Sequence, residues 1–123
     1  MKRTKRSRAP DESKTPVPKR LMAEVFFDLD GTLAVNTWPD HSIGDPIPET
    51  VELLRQYVED GYVCSIFTSR PEDHRVQIWS WLYSAKLEHL IYRVICDKPY
   101  FGLLVDDRSY NPPWLTIPQN KTK

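Results

Sequence analysis

The chain has 123 residues, which leaves room for one domain, and its 40% hydrophobic and 11% aromatic content suffices for a modest single core. The formal charge is zero, but residues 1–20 hold eight Lys or Arg against Asp11 and Glu12, while residues 21–123 hold nine against fifteen acids. This distribution describes a basic arm joined to an acidic domain, which would repel phosphate esters unless a cation intervened.

Residues 1–20 combine three prolines with many charges and almost no apolar side chains, the composition of a disordered arm. The Lys2–Arg8 patch, KRTKRSR, suits nucleic acid or simple solubilisation, and it also resembles a nuclear-import signal. No apolar run follows it, as a secretory signal requires, and no stretch reaches the ~20 apolar residues of a membrane span. A cytoplasmic protein is the expectation, or a nuclear one in a eukaryote.

The folded domain is expected over residues 21–117, with a polar tail at 118–123. Ala23-Glu24-Val25-Phe26-Phe27 reads as a buried strand stopping at Asp28-Leu29-Asp30-Gly31. Residues 34–48, with three prolines and a glycine, read as a long loop of the functional or mobile kind. Val51, Leu54, Tyr57 and Val58 recur at helical spacing over residues 49–60, and Gly61 stands where a helix C-cap belongs.

A second strand is expected over residues 62–67, ending in Thr68-Ser69-Arg70-Pro71. A second helix follows, with Pro71 in its first turn and its end near Ala85. Trp79 and Trp81 cannot both face the core from that helix. Further apolar runs cover residues 90–95 and 101–105, the last stopping at Asp106-Asp107. Cys64 and Cys96 lie in apolar runs without metal-site spacing and read as buried, reduced thiols.

Strands alternating with helices predict a three-layer α/β/α, Rossmann-like domain around a central parallel sheet. Ligands bind such sheets outside the carboxyl ends of the strands. The residues there are Asp28 and Asp30, Thr68 and Ser69, Asp97 and Lys98, and Asp106 and Asp107. Phosphoryl transfer to a carboxylate needs a nucleophilic oxygen, a proton donor, a cation and donors for the remaining phosphate oxygens.

The set supplies a candidate for each need. Asp28 and Asp30 pair as nucleophile and acid–base, Thr68, Ser69 and Lys98 hold phosphate, and the acids gather oxygen ligands for Mg²⁺. Arg70 and Arg108, each flanking a motif, are candidates to touch substrate or brace an acid, or, equally, to serve as solvated or structural ion-pair residues.

In the order DLDGTL, TSR, a later lysine and DD, these segments resemble the four motifs of the haloacid dehalogenase superfamily of phosphatases, over about residues 24–109. The resemblance implies an aspartyl-phosphate at Asp28, acid–base catalysis by Asp30, and phosphate binding by Thr68 and Lys98. It also implies magnesium held by Asp28, the Asp30 carbonyl and the pair Asp106 and Asp107. Which of that pair binds directly stays open. TSRPEDHR and KPYFGLLVDDRS further resemble small capless members, including the phosphatase half of polynucleotide kinase-phosphatases.

Residues 34–48 are too few for a separate cap domain, so the expected site is open. The expected substrate is a nucleic-acid 3′-phosphate end, or a nucleotide or sugar phosphate. The rival from another class is a non-catalytic module that binds metal or a phosphorylated partner. His41, His74 and His89 are read as solvent-exposed or hydrogen-bonded, and Trp38 and Trp114 as packing on the domain's edge.

Overall fold

The computed structural model describes residues 24–99 and 105–115. The basic arm, the polar tail and nearly all of the expected fourth strand, residues 101–105, lie outside these. The described chain is an α/β unit with a small parallel sheet of three strands and two helices.

Strand β1, Glu24–Phe27, pairs in parallel with β2, Val63–Phe67, with Phe27 opposite Ile66. Strand β3, Val94–Ile95, adds to the far side of β2, with Ile66 opposite Val94. Helix α1, Pro48–Glu59, joins the first two strands. Helix α2, Arg75–Ser84, joins the second to the third.

Side chains alternate across each strand, so Phe27, Ile66 and Val94 share one face. All three belong to one buried cluster with Leu54 of α1 and Ile78 and Leu82 of α2. Right-handed crossovers between strands in sequential order put both helices on that face. The other face is tied by charge: Glu24 accepts from Ser65 Oγ at 2.6 Å and, on both carboxylate oxygens, from Arg93 at 2.7 and 2.8 Å. Phe26 and Phe67 meet there at 5.6 Å between ring centroids.

Helix α1 begins with proline, which lacks the N–H that a first turn leaves unused, and ends where Gly61 turns left-handed at φ 96°. Helix α2 starts later than Pro71. Pro71 is extended, with ψ 164°, and a 3-10 turn over Glu72–His74 comes before Arg75. The apolar run at 90–95 yields a strand of only two residues, because Leu90 closes another 3-10 turn, Glu88–Leu90. Trp79 and Trp81 are both half-buried and both pack against the core, which corrects the expectation that one helix could not turn both toward it.

The loop between β1 and α1 is internally bonded. Its stem is zipped by Val35 N–H to Asp45 O at 2.8 Å and Ile47 N–H to Leu33 O at 2.9 Å. At its tip, Thr37 Oγ1 donates to Ser42 O at 2.6 Å, and the Asp40 carboxylate accepts from Ser42 N and Oγ at 3.3 and 3.1 Å. These bonds from Ser42 hold the exposed Asp40 carboxyl below the usual carboxylate range.

Gly44 is fixed by close approach. A Cβ there would lie 2.3 Å from Val35 O, while Gly44 O accepts from Trp81 Nε1 at 2.9 Å. Gly44→Ala is therefore expected to cost about 1–3 kcal/mol, read as a lower urea midpoint at unchanged slope, since backbone has to move to admit the methyl.

Both cysteines are buried and free. Burial, with the charge of Glu24 adding to it, pushes the Cys64 thiol up to about 12. Burial likewise raises the Cys96 thiol. An unfolded cysteine ionises near ~8.5. Between that value and about 12 the unfolded chain releases a proton that folded Cys64 retains, so stability falls as pH rises through this window. The expected slope from this thiol is about 1.4 kcal/mol per pH unit, and Cys64→Ala should remove it from a series of urea titrations above pH 9.

Candidate functional site

The ends of the three strands bring Asp28, Asp30, Thr68, Ser69, Arg70, Asp97 and Lys98 to one edge of the sheet. The β1 end is shaped by two leucines. Leu29 and Leu33 are fully buried, and the Leu29 carbonyl accepts from the amides of Thr32, Leu33 and Ala34 at 3.2, 2.9 and 2.9 Å. Gly31 makes the turn between them at φ 85°, a left-handed conformation that favours glycine. With Leu29 committed to the core, Asp28 and Asp30 flank it on the sheet's carboxyl edge.

Asp28 Oδ1 accepts from Leu29 N–H at 2.8 Å and lies 3.1 Å from Lys98 Nζ. The Asp28 side chain is 41% exposed, whereas that of Lys98 is 14% exposed. Among the described residues the contacts to Asp28 fall on Oδ1.

Lys98 reaches Asp28 because the chain after β3 is stitched back to the end of β2. Asp97 N–H donates to Arg70 O and Lys98 N–H to Thr68 O, each at 2.9 Å. Asp97 itself is left-handed, at φ 63°, a conformation aspartate tolerates better than most residues. The Lys98 ammonium also stands 5.4 Å from the Phe67 ring centroid, within cation–π range.

Thr68 is buried, and its hydroxyl accepts from Arg70 N–H at 3.1 Å. Ser69 is exposed. Neither residue opens a helix, because the 3-10 turn starts at Glu72 and α2 at Arg75. Helix-terminal amides as anion donors at Thr68 and Ser69 are thus displaced by the extended Pro71, and the donors left at the strand end are hydroxyls and loop amides.

Arg70 is the most heavily engaged residue of the edge. Its Nε donates to Asp30 Oδ2 at 2.8 Å and its Nη2 to Asp30 Oδ1 at 2.9 Å, a two-point pair. Nη2 also donates to Ser42 O at 3.0 Å. Nη1 donates to His41 O at 2.9 Å and lies 3.2 Å from His74 Nδ1. Arginine has only donors, so Nδ1 of His74 accepts and that ring carries its proton on Nε2. The pair with Asp30 raises the already high guanidinium pKa against the opposing effect of burial.

Asp106, Asp107 and Arg108 are all exposed, and Asp107 and Arg108 form a loose surface pair at 3.9 Å. Among the described residues no three His, Cys, Asp or Glu side chains gather where a metal ion could be held. At the strand ends, the Asp28 carboxylate and the Asp30 main-chain carbonyl are oxygens that suit a hard cation. That set fits magnesium, which commonly takes one or two protein carboxylates and completes its shell with water and substrate phosphate.

No family model matches the chain, and no curated protein matches its sequence. Within the described residues no helix is long and apolar enough to cross a membrane.

Several contacts were hidden in the sequence. The carbonyls of His41 and Ser42 reach Arg70 across 29 and 28 residues. Backbone acceptors carry no residue signature, and the one available hint was an arginine four residues before a histidine in a turn. Trp114 does pack, its Nε1 donating to buried Thr50 Oγ1 at 2.9 Å. Trp38 does not pack on the edge. It is 76% exposed at the tip of the loop that Arg70 holds.

Proposed function

We propose that the chain is a magnesium-dependent phosphomonoester hydrolase of the haloacid dehalogenase type, with a Rossmann-like fold and no cap domain. The observation that carries this reading is the setting of Asp28. One of its oxygens is pinned by Leu29 N–H and Lys98, and the half-exposed carboxylate keeps its other oxygen for attack.

In the first half-reaction a bond forms between Asp28 and phosphorus as the ester P–O bond breaks, and the leaving oxygen takes a proton from Asp30. In the second, water attacks phosphorus, its proton passes to Asp30, and the bond to Asp28 breaks to release phosphate. The Lys98 ammonium and the Thr68 hydroxyl hold the non-bridging oxygens as charge develops on them. Magnesium, held by Asp28 and the Asp30 carbonyl, would supply neutralising charge that an acidic site otherwise lacks. Each Asp30 oxygen accepts once from Arg70 and keeps a second lone pair with which to exchange a proton.

A second reading draws on two observations of its own. With Asp30 doubly bonded to Arg70, and no three metal-ligating side chains gathered among the described residues, the same edge would serve a module that binds a phosphorylated partner without turnover. The two readings part on one measurement. Phosphate release is followed with magnesium against nucleotides, sugar phosphates and 3′-phosphorylated oligonucleotides. Turnover of any of them supports the hydrolase, and binding without turnover across the set gives the module.

A further inference from the structure

A guanidinium has five N–H donors, and in Arg70 all five are used: two on Asp30, two on the carbonyls of His41 and Ser42, and one on the His74 ring. The side chain is 11% exposed. No donor is left for a substrate phosphate, and withdrawing one from a partly buried acceptor would cost more than a new surface contact returns.

We propose that Arg70 is a positioning residue and not a substrate contact. Its rigid fork fixes the orientation of Asp30 and, on its outer edge, clamps residues 37–45 to the strand ends, so that the loop and Asp30 are held or released together.

The tip has bonds of its own among Thr37, Asp40 and Ser42, and the Arg70 donors on the His41 and Ser42 carbonyls hold that exposed turn in shape against the strand ends. The loop's stem is paired at Val35–Asp45 and Ile47–Leu33. Between tip and body the described side-chain bonds are those of Arg70, of Gln77 Nε2 to His41 O at 3.0 Å, and of Trp81 to Gly44 O. Arg70 alone among these also touches a residue of the acid–base pair. Lysine cannot replace it, because an ammonium is a point donor that cannot span the carboxylate and two carbonyls in one plane.

The kinetic half of the test rests on the hydrolase reading, and the exchange half does not. Amide hydrogen exchange is followed at Asp40 and Ser42 in the wild type, Arg70→Lys and Asp30→Asn. Both variants are expected to exchange about tenfold faster at these two amides, with protection across β1, β2 and β3 retained. The Asp30→Asn arm matters most. It removes charge at the strand end and reads the effect in a loop that Asp30 does not touch, and it stands even if Arg70→Lys fails to fold.

In turnover, Arg70→Lys is expected to lower kcat by about 100-fold with KM little changed, as a misplaced acid would. Unchanged exchange in the Asp30→Asn loop overturns the coupling. A raised KM with kcat preserved overturns the positioning role and makes Arg70 a substrate contact. If the wild type turns over no phosphate ester, the hydrolase reading fails and the exchange result still decides the coupling.

Discussion

Asp28→Asn is expected to lower magnesium-dependent phosphate release from an aryl phosphate by at least about 10³-fold while leaving the fold intact. The substitution is nearly isosteric, and an amide oxygen at Oδ1 can still accept from Leu29 N–H and Lys98, the two groups that hold the carboxylate now. Stability should therefore stay within about 1 kcal/mol of the wild type, because the ion pair with Lys98 opens to solvent on the Asp28 side.

Chemistry is lost because a neutral amide oxygen is a poor nucleophile for phosphorus and its acyl phosphate cannot form. Urea titration and phosphate release on the same preparations check both halves. Equal rates in the two proteins would sink the assignment of Asp28.

That prediction could be written from the sequence, and the reason is physical. An apolar strand that stops at Asp-Leu-Asp-Gly must bury Leu29, and burying it leaves both aspartates at the carboxyl edge. The same legibility holds for α1. Its apolar spacing and Gly61 located it to within a residue of Pro48–Glu59, since helical periodicity and a left-handed cap are both local properties.

What escaped the sequence is non-local or irregular. The start of α2 shifted by four residues, because Pro71 is as content in extended backbone as in a first turn, and Glu72–His74 took up the 3-10 alternative. The short β3 was hidden because the apolar run at 90–95 serves a turn and a strand in succession. The loop of residues 34–48 looked formless by composition, yet its threonine, aspartate and serine are what tie its tip together.

The site shows the same division. Asp28, Thr68 and Lys98 converge as strand ends must in a parallel sheet, whereas the partners of Arg70 are backbone carbonyls that no motif encodes. The fold thereby turns an arginine that sequence left between two roles into a saturated brace. It also leaves Asp106 and Asp107, which the motif order grouped with the site, exposed and outside any described acidic cluster.

Lys98 separates chemistry from stability most cleanly. Lys98→Met keeps an unbranched stem to lie against Phe67 and removes the ammonium, so the 5.4 Å cation–π contact and the 3.1 Å contact to Asp28 are among the interactions lost. The ammonium is mostly buried, and its desolvation offsets much of what those contacts contribute. The net change in stability is expected to be within about 1 kcal/mol, in either direction.

The rate is a different matter. In a transition state whose charge is spread over phosphate oxygens, a fixed cation at the strand end stabilises what the ground state does not yet carry, and its loss should lower kcat by about 100-fold or more. Lysine is placed there by a left-handed Asp97 and two backbone bonds to the end of β2, a costly arrangement for a residue serving only as a surface ion pair. Measured side by side, a large fall in kcat with an unchanged urea midpoint assigns Lys98 to the reaction. A fall of several kcal/mol in stability with turnover per folded molecule preserved would return it to the structure.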